Sequence, residues 1–169
     1  YNFNTLQFAV EENGPNWPNP PWSTFLLRKL LENSNYQKRF INIFCDMFNT
    51  IFTSDHMINR LDSMAASIEN IIPAHQDKWP ESAIDWDYHI QVIRNFAQLR
   101  PEYMRQHLES FFDISNLTEA RFYSTPGGKI KINTIIPQTN LWTGKYYEDV
   151  PIKIEAIPDT GFVFTGWLQ

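Results

Sequence analysis

Apolar residues recur at steps of three and four from Phe25 to Phe112 and at steps of two from Ala120 onward, so the chain changes period once, near Asp113. The first period predicts five helices. One starts near Ser23 as N-cap and carries Phe25, Leu26, Leu27, Leu30 and Leu31 to about Asn33. A second, from about Asn35, places Tyr36, Phe40, Ile43/Phe44, Met47/Phe48 and Ile51 on one stripe read as core. Thr53-Ser54-Asp55 then recaps the chain. The third helix repeats the spacing with Met57/Ile58, Leu61, Met64/Ala65, Ile68 and Ile71/Ile72, and Pro73 bends or restarts it. After Trp79-Pro80 a fourth runs from roughly Ser82 to Leu99, presenting Trp86, Ile90, Ile93 and Phe96/Ala97. Pro101 fits the first turn of a fifth, with Tyr103/Met104, Leu108 and Phe111/Phe112.

Upstream of these helices, Thr5–Val10 reads as a short strand leading into Asn13–Trp22, where Pro15, Pro18, Pro20 and Pro21 remove amide donors and fix φ. That stretch is expected to be an ordered loop anchored by Trp17 and Trp22. Downstream, strands are predicted over Ala120–Ser124, Lys129–Ile135, Pro151–Ala156 and Phe162–Trp167, with a hairpin turn at Pro126-Gly127-Gly128, another at Pro158–Gly161, and a loop through Trp142-Thr143-Gly144. The fold class is therefore α+β: a five-helix bundle-like part over 1–114 and a small antiparallel β domain over 115–169. The latter has too few residues to bury much surface alone and is expected to lean on the helices or on a partner domain.

Composition narrows the function classes. With 43% hydrophobic and 15% aromatic residues the chain can bury a real core, which excludes disorder. Its 14 basic against 19 acidic residues give −5, and no Lys/Arg run exceeds a pair, so the footprint of a nucleic-acid or anionic-membrane binder is missing. All of that net charge sits in 1–114, because 115–169 balances. No apolar run reaches the ~20 residues of a membrane span. The start at Tyr1 and the interrupted strand pattern at the other end lead us to expect a piece of a longer polypeptide.

Candidate chemistry is thin. His56, His75, His89 and His107 are never three to five residues apart and no His-Glu-x-x-His occurs, so surface or cap roles are favoured over ligation. Asp85-x-Asp87 resembles an acidic metal motif, but residues two apart on a helix diverge, and a negatively charged helix start is the favoured reading. Cys45, among Phe44, Met47 and Phe48, reads as a small hydrophobe rather than a nucleophile. Gly127-Gly128-Lys129 lacks the rest of a phosphate loop. Trp142, Tyr146, Tyr147 and Trp167 are candidates for a sugar-stacking platform; the plainer reading makes Trp167, in register with Phe162 and Phe164, part of a small core. Asn116-Leu117-Thr118 fits a glycosylation sequon.

Asn16-Trp17-Pro18-Asn19-Pro20-Pro21-Trp22, the following Phe25–Asn33 and Tyr36–Asn42, and later Ile93-Arg94-Asn95-Phe96-Ala97-x-x-Arg100-Pro101-x-x-Met104-Arg105-x-x-Leu108 together resemble the C-terminal half of the CotH family, the spore-coat type atypical protein kinases. The resemblance covers residues 16 to about 112. It implies a parent enzyme that transfers the γ-phosphoryl of ATP to Ser/Thr with Mg²⁺ or Mn²⁺. The family's ATP-contacting Lys and metal-binding Asp-x-Asp segment precede the Trp-Pro-Asn-Pro-Pro region and have no counterpart here, so no catalytic, cofactor-binding or metal residue is assigned, and Asp85 and Asp87 are not carried over. Residues 127–167 resemble an internalin-type B-repeat of bacterial surface proteins, through Gly128–Asn133, Trp142–Tyr147, Val150–Pro158 and Gly161–Trp167. The resemblances imply a bacterial cell-surface or extracellular setting, an upstream kinase half as partner, and a surface protein substrate or a glycan. The competing reading is a non-enzymatic adhesion or carbohydrate-binding scaffold.

Overall fold

The computed structural model describes residues 1–13, 19–80 and 85–168. Trp17, the rest of the Asn16-Trp17-Pro18 motif and the predicted helix start at Ser82 lie outside the described residues. The architecture is α+β, as the change of period implies: helices occupy the chain to Phe112 and strands begin at Leu117.

Among the described residues there are six α-helices: α1 (Thr5–Ala9), α2 (Pro21–Leu31), α3 (Ser34–Phe48), α4 (Ser54–Ala66), α5 (Ile72–Lys78) and α6 (Trp86–Phe112), with a 3₁₀ turn at Glu69–Ile71 before α5. The predicted strand at Thr5–Val10 is helix α1, because the Asn4 side chain caps it by accepting from the Gln7 amide and because the turn packs on α6. Helix α2 begins two residues before the predicted N-cap. Pro21 takes the first position, where its missing N–H costs nothing, and the Ser23 hydroxyl instead donates to Pro20 O and Asn19 Oδ1. Asn33 and Thr53 cap α3 and α4 through their side chains, and Pro73 restarts the chain as α5.

The fourth and fifth predicted helices are one. Pro101 lies inside the 27-residue α6, leaving the carbonyl four residues before it without its helical donor. Tertiary contacts in the turns leading into this point hold the helix: Arg94 pairs with Asp62 of α4, and Arg100 binds the first residues of the chain. Asp113 ends α6 in the left-handed region at φ 51°.

Trp22, expected as an anchor, is 79% exposed, and other side chains tie the start of α2 to the preceding chain. These are Asn19 and Thr24, both buried: Asn19 Nδ2 donates to Phe8 O, and Thr24 Oγ1 donates to Glu11 O at 2.8 Å. The α3 stripe is also rotated from the predicted one. Ile41, Cys45 and Phe48 are buried, Phe40 and Phe44 half-buried, and Ile51 is exposed beyond the helix end.

Four strands complete the chain: β1 (Leu117–Tyr123), β2 (Gly128–Ile132), β3 (Leu141–Tyr147) and β4 (Ile154–Pro158). They form two antiparallel two-stranded sheets, β1 with β3 and β2 with β4, so the chain crosses between sheets at each connection. The Pro126-Gly127-Gly128 turn therefore joins strands of different sheets and is not a hairpin. Gly127, at φ 100°, lies against the Phe162 ring, where any side chain would collide. Two further expectations fail. The predicted loop at 142–144 is strand β3, because Leu141–Tyr147 pairs residue for residue with β1. The strand expected at Phe162–Trp167 does not form: among the described residues no partner strand pairs with it, and its side chains are exposed. Trp167 is thus not core. The apolar core runs unbroken from Leu6, Ile41, Cys45, Phe48 and Leu108 into Ile130, Ile132, Tyr146, Tyr147 and Val150.

Candidate functional site

The densest polar constellation lies where α3 meets the strands. Asn42, Asp46 and Asn49 are spaced by four and three, which places them on one face of α3 beside its apolar stripe. Asp46 is 2% exposed. Its carboxylate accepts from Tyr146 Oη at 2.9 Å, Asn133 Nδ2 at 3.2 Å, Thr134 N at 2.9 Å and Thr134 Oγ1 at 2.5 Å. Four donors occupy its lone-pair positions, as a carboxylate out of water requires. Asn133, at φ 47°, bends the chain after β2 so that it and Thr134 reach this acceptor, while its Oδ1 accepts from Lys153 N.

One turn on, Asn49 imitates a strand: Nδ2 donates to Lys145 O and Oδ1 accepts from Lys145 N, both at 2.9 Å. One turn back, Asn42 Nδ2 donates to Pro151 O at 2.8 Å. Close approach is possible because residue 144 is glycine. A Cβ there would overlap the Trp142 ring and come within 3.0 Å of Asn49 Nδ2. Successive side chains of a strand point to opposite faces, and Tyr146 and Tyr147 exploit this. Tyr146 reaches Asp46 on α3, whereas Tyr147 Oη donates to Glu109 Oε1 on α6 at 3.0 Å. Strand β3 is thus held by a buried tyrosine on each side.

The electrostatics are set by burial. Both tyrosine hydroxyls are pushed well above the ordinary phenol range, first by loss of water and then by the carboxylates they bond, so they remain protonated donors. Burial pushes the Cys45 thiol up to about 12, which outweighs the nearby Arg105 guanidinium and makes the group inert. Arg105 itself lies 4.9 Å over the Phe48 ring.

The chemistry-bearing residues singled out in the sequence do not converge. His56 sits in the first turn of α4 with its amide on Thr53 Oγ1, His75 in the last turn of α5, and His89 edge-on to Tyr88 at 5.2 Å in the first turn of α6. His107, on the far half of α6, is held below the usual imidazole range by burial and then by Arg100. Asp85 is the N-cap of α6, accepting from the Tyr88 amide, and Asp87 lies in its first turn. Tyr146 and Tyr147 are buried and Trp142 is half-buried against Phe122 and Tyr146, so three members of the suggested sugar-stacking platform belong to the seam; Trp167 is exposed beside Phe164.

Among the described residues no group of three or more His, Cys, Asp or Glu side chains could hold a metal ion. The most buried carboxylate, Asp46, has its acceptor sites filled by protein donors. These residues do not fit a nucleotide–metal centre.

The seam itself is not among the candidates that motif reading of the sequence yields. The available signal is the polar spacing 42/46/49 running beside an apolar stripe, since a wholly solvent-facing polar side would carry more charge than Asn-Asp-Asn.

Comparison with known proteins gives one family. The family model described as CotH kinase protein matches residues 2–104, which takes in α1 to α5 and most of α6. No curated protein and no solved structure matches the chain.

Proposed function

The chain belongs to the CotH family, and from that membership we propose that residues 1–114 are the supporting helical part of a CotH-type protein kinase whose nucleotide- and metal-binding residues lie elsewhere in the polypeptide. The observation that carries this reading is the commitment of the carboxylates. Asp46 is saturated by four donors, Asp62 is paired with Arg94, Asp85 caps α6 and Glu109 accepts from Tyr147. Phosphoryl transfer depends on cations and donors arranged around the phosphates, and among the described residues no group of three or more His, Cys, Asp or Glu side chains is placed to hold such a cation. Its contribution is a rigid backing.

The β strands extend that backing. Through Asp46, Asn49 and Glu109 they are fixed to α3 and α6 rather than tethered, so the β module leaves the kinase part in a set direction. This suits a spacer module at a bacterial cell surface acting near a protein substrate. A carbohydrate-binding scaffold is less well supported, because Tyr146 and Tyr147 have no free ring face to offer a sugar.

The test is phosphoryl transfer from radiolabelled ATP with Mg²⁺ or Mn²⁺ to a mixed Ser/Thr acceptor, with nucleotide binding followed by calorimetry. The 169-residue chain should show neither, while the full-length polypeptide shows both. Turnover by the 169-residue chain alone, or none by the full-length protein, overturns the proposal.

A further inference from the structure

After β4 the chain turns back on the strands. Asp159 N donates to Gly127 O at 2.9 Å, Phe162 N donates to Asp159 O at 3.0 Å, and the Phe162 ring lies on Gly127. Residues 162–168 thereby form one side of an open groove of about 380 Å³, whose other sides are the end of β1 and the paired β2 and β4. That volume falls within the ~300–1,000 Å³ of small-ligand sites.

The apolar lining of the groove is mainly aromatic. Tyr123 is 65%, Phe162 58% and Trp167 52% exposed, and Phe164 meets Trp167 at 4.8 Å between centroids. Its charged lining is wholly basic: Arg121 and Lys129 contribute to it and, among the described residues, no carboxylate does. Arg121 is paired with Glu119 at 2.8 Å, and Lys131 and Lys153 share Glu155. Lys129 has no ion pair among the described residues. In β2 it alternates with buried Ile130, so it stands on the solvent side beside its cross-strand partner Ile157.

The geometry points to this groove as a binding site for an acidic glycan, an oligosaccharide of uronic-acid units whose pyranose faces stack on the exposed rings and whose carboxylate pairs with Lys129. An aromatic face gives the C–H side of a sugar an apolar contact, and an open site leaves the hydroxyls at the sugar's edge in water. The carboxylate answers the charge. A neutral sugar or a proline-rich peptide uses the rings but leaves the Lys129 ammonium unmatched, whereas a uronate engages both. Of Trp142, Tyr146, Tyr147 and Trp167, only Trp167 lines this groove, so the site is not the platform expected from the sequence. It concerns the β module alone and does not depend on the kinase reading.

Calorimetry on the 169-residue chain tests it with the trimers of galacturonate, glucuronate and mannuronate, each beside its methyl ester, which keeps the sugar ring and removes the charge. At least one acid trimer should bind, about tenfold or more tighter than its ester, and more weakly as salt is raised. Lys129→Gln should bring the acid down to the level of its ester. Trp167→Ala should weaken acid and ester alike by about tenfold, while Trp22→Ala, which removes an exposed indole on α2, leaves both unchanged. The substituted side chains are exposed, so the variants should keep the native far-ultraviolet circular dichroism. Binding by none of the three acids, an ester that binds as well as its acid, or binding that survives both Lys129→Gln and Trp167→Ala overturns the proposal. So does a proline-rich peptide that binds through Trp167 while no uronate binds, or a dimer in sedimentation that Trp167→Ala dissolves and no uronate displaces.

Discussion

Replacing Asp46 by alanine removes the one acceptor on which Tyr146 Oη, Asn133 Nδ2 and both donors of Thr134 converge. Hydrogen bonds to a charged group are worth about 1.5–3 kcal/mol each, but these four share an acceptor and their losses do not add. Thr134 is exposed and Asn133 half-buried, so water can replace the carboxylate at those donors. Tyr146 is 1% exposed, and its hydroxyl proton would be left buried without the Asp46 acceptor at a cost of about 1–3 kcal/mol. Alanine also relieves the desolvation of the carboxylate, which offsets part of the loss. The net expectation is a destabilisation of about 1–3 kcal/mol, a sizeable share of the ~5–15 kcal/mol typical of a domain.

Urea unfolding monitored by tryptophan fluorescence and by far-ultraviolet circular dichroism measures it. In the native protein both signals should change together, because helices and strands share one core. In Asp46→Ala the midpoint should fall and the β-module fluorescence should change first. Asp46→Asn keeps an acceptor for Tyr146 but sets an NH₂ group against the Thr134 donors, so it should fall between the two. A double-mutant cycle with Tyr146→Phe should give a coupling of about 1–2 kcal/mol. A loss below about 1 kcal/mol for Asp46→Ala, with no coupling, would refute the idea that this carboxylate organises the seam.

Other consequences are checked as simply. Gly144→Ala forces a methyl into the Trp142 ring and against Asn49, and should cost about 1–3 kcal/mol with a shifted tryptophan emission; an unchanged melting curve counts against the close approach of α3 and β3. Cys45, with its thiol pushed up to about 12, should resist a thiol reagent at pH 8 in the folded protein and react only as the seam opens, faster in Asp46→Ala; rapid labelling of the native chain contradicts the burial. His107 is held below the ordinary imidazole value of 6.5, so the unfolded chain binds its proton more readily and stability must drop as pH falls below about 6.5. His107→Gln should flatten that part of the stability–pH curve between pH 5 and 7, and an unaltered slope removes His107 as its source.

How far each element is legible in the sequence depends on where its conformation is physically decided. Helices α2, α3 and α4 are readable because local chemistry sets them: apolar spacing, an Asn or Thr cap and, at α2, a proline in the first turn. At Thr5–Val10 and at Pro101 tertiary contacts decide instead. Five residues cannot declare a period, and α1 exists through its Asn4 cap and its bed on α6. Pro101 breaks a helix in isolation, yet Arg94 and Arg100 pin α6 through the turns that lead into it, and Leu108 is buried beyond it. Phe162–Trp167 shows the converse: alternation alone does not make a strand when, among the described residues, no neighbouring strand pairs with it. The seam is the furthest from local sequence. Asp46 belongs inside only because residues 87 to 100 positions later bring an Asn, a Thr and a Tyr to meet it. A buried carboxylate of this kind is therefore better evidence for how the two halves of the chain are fixed to each other than for any reaction between them and a substrate.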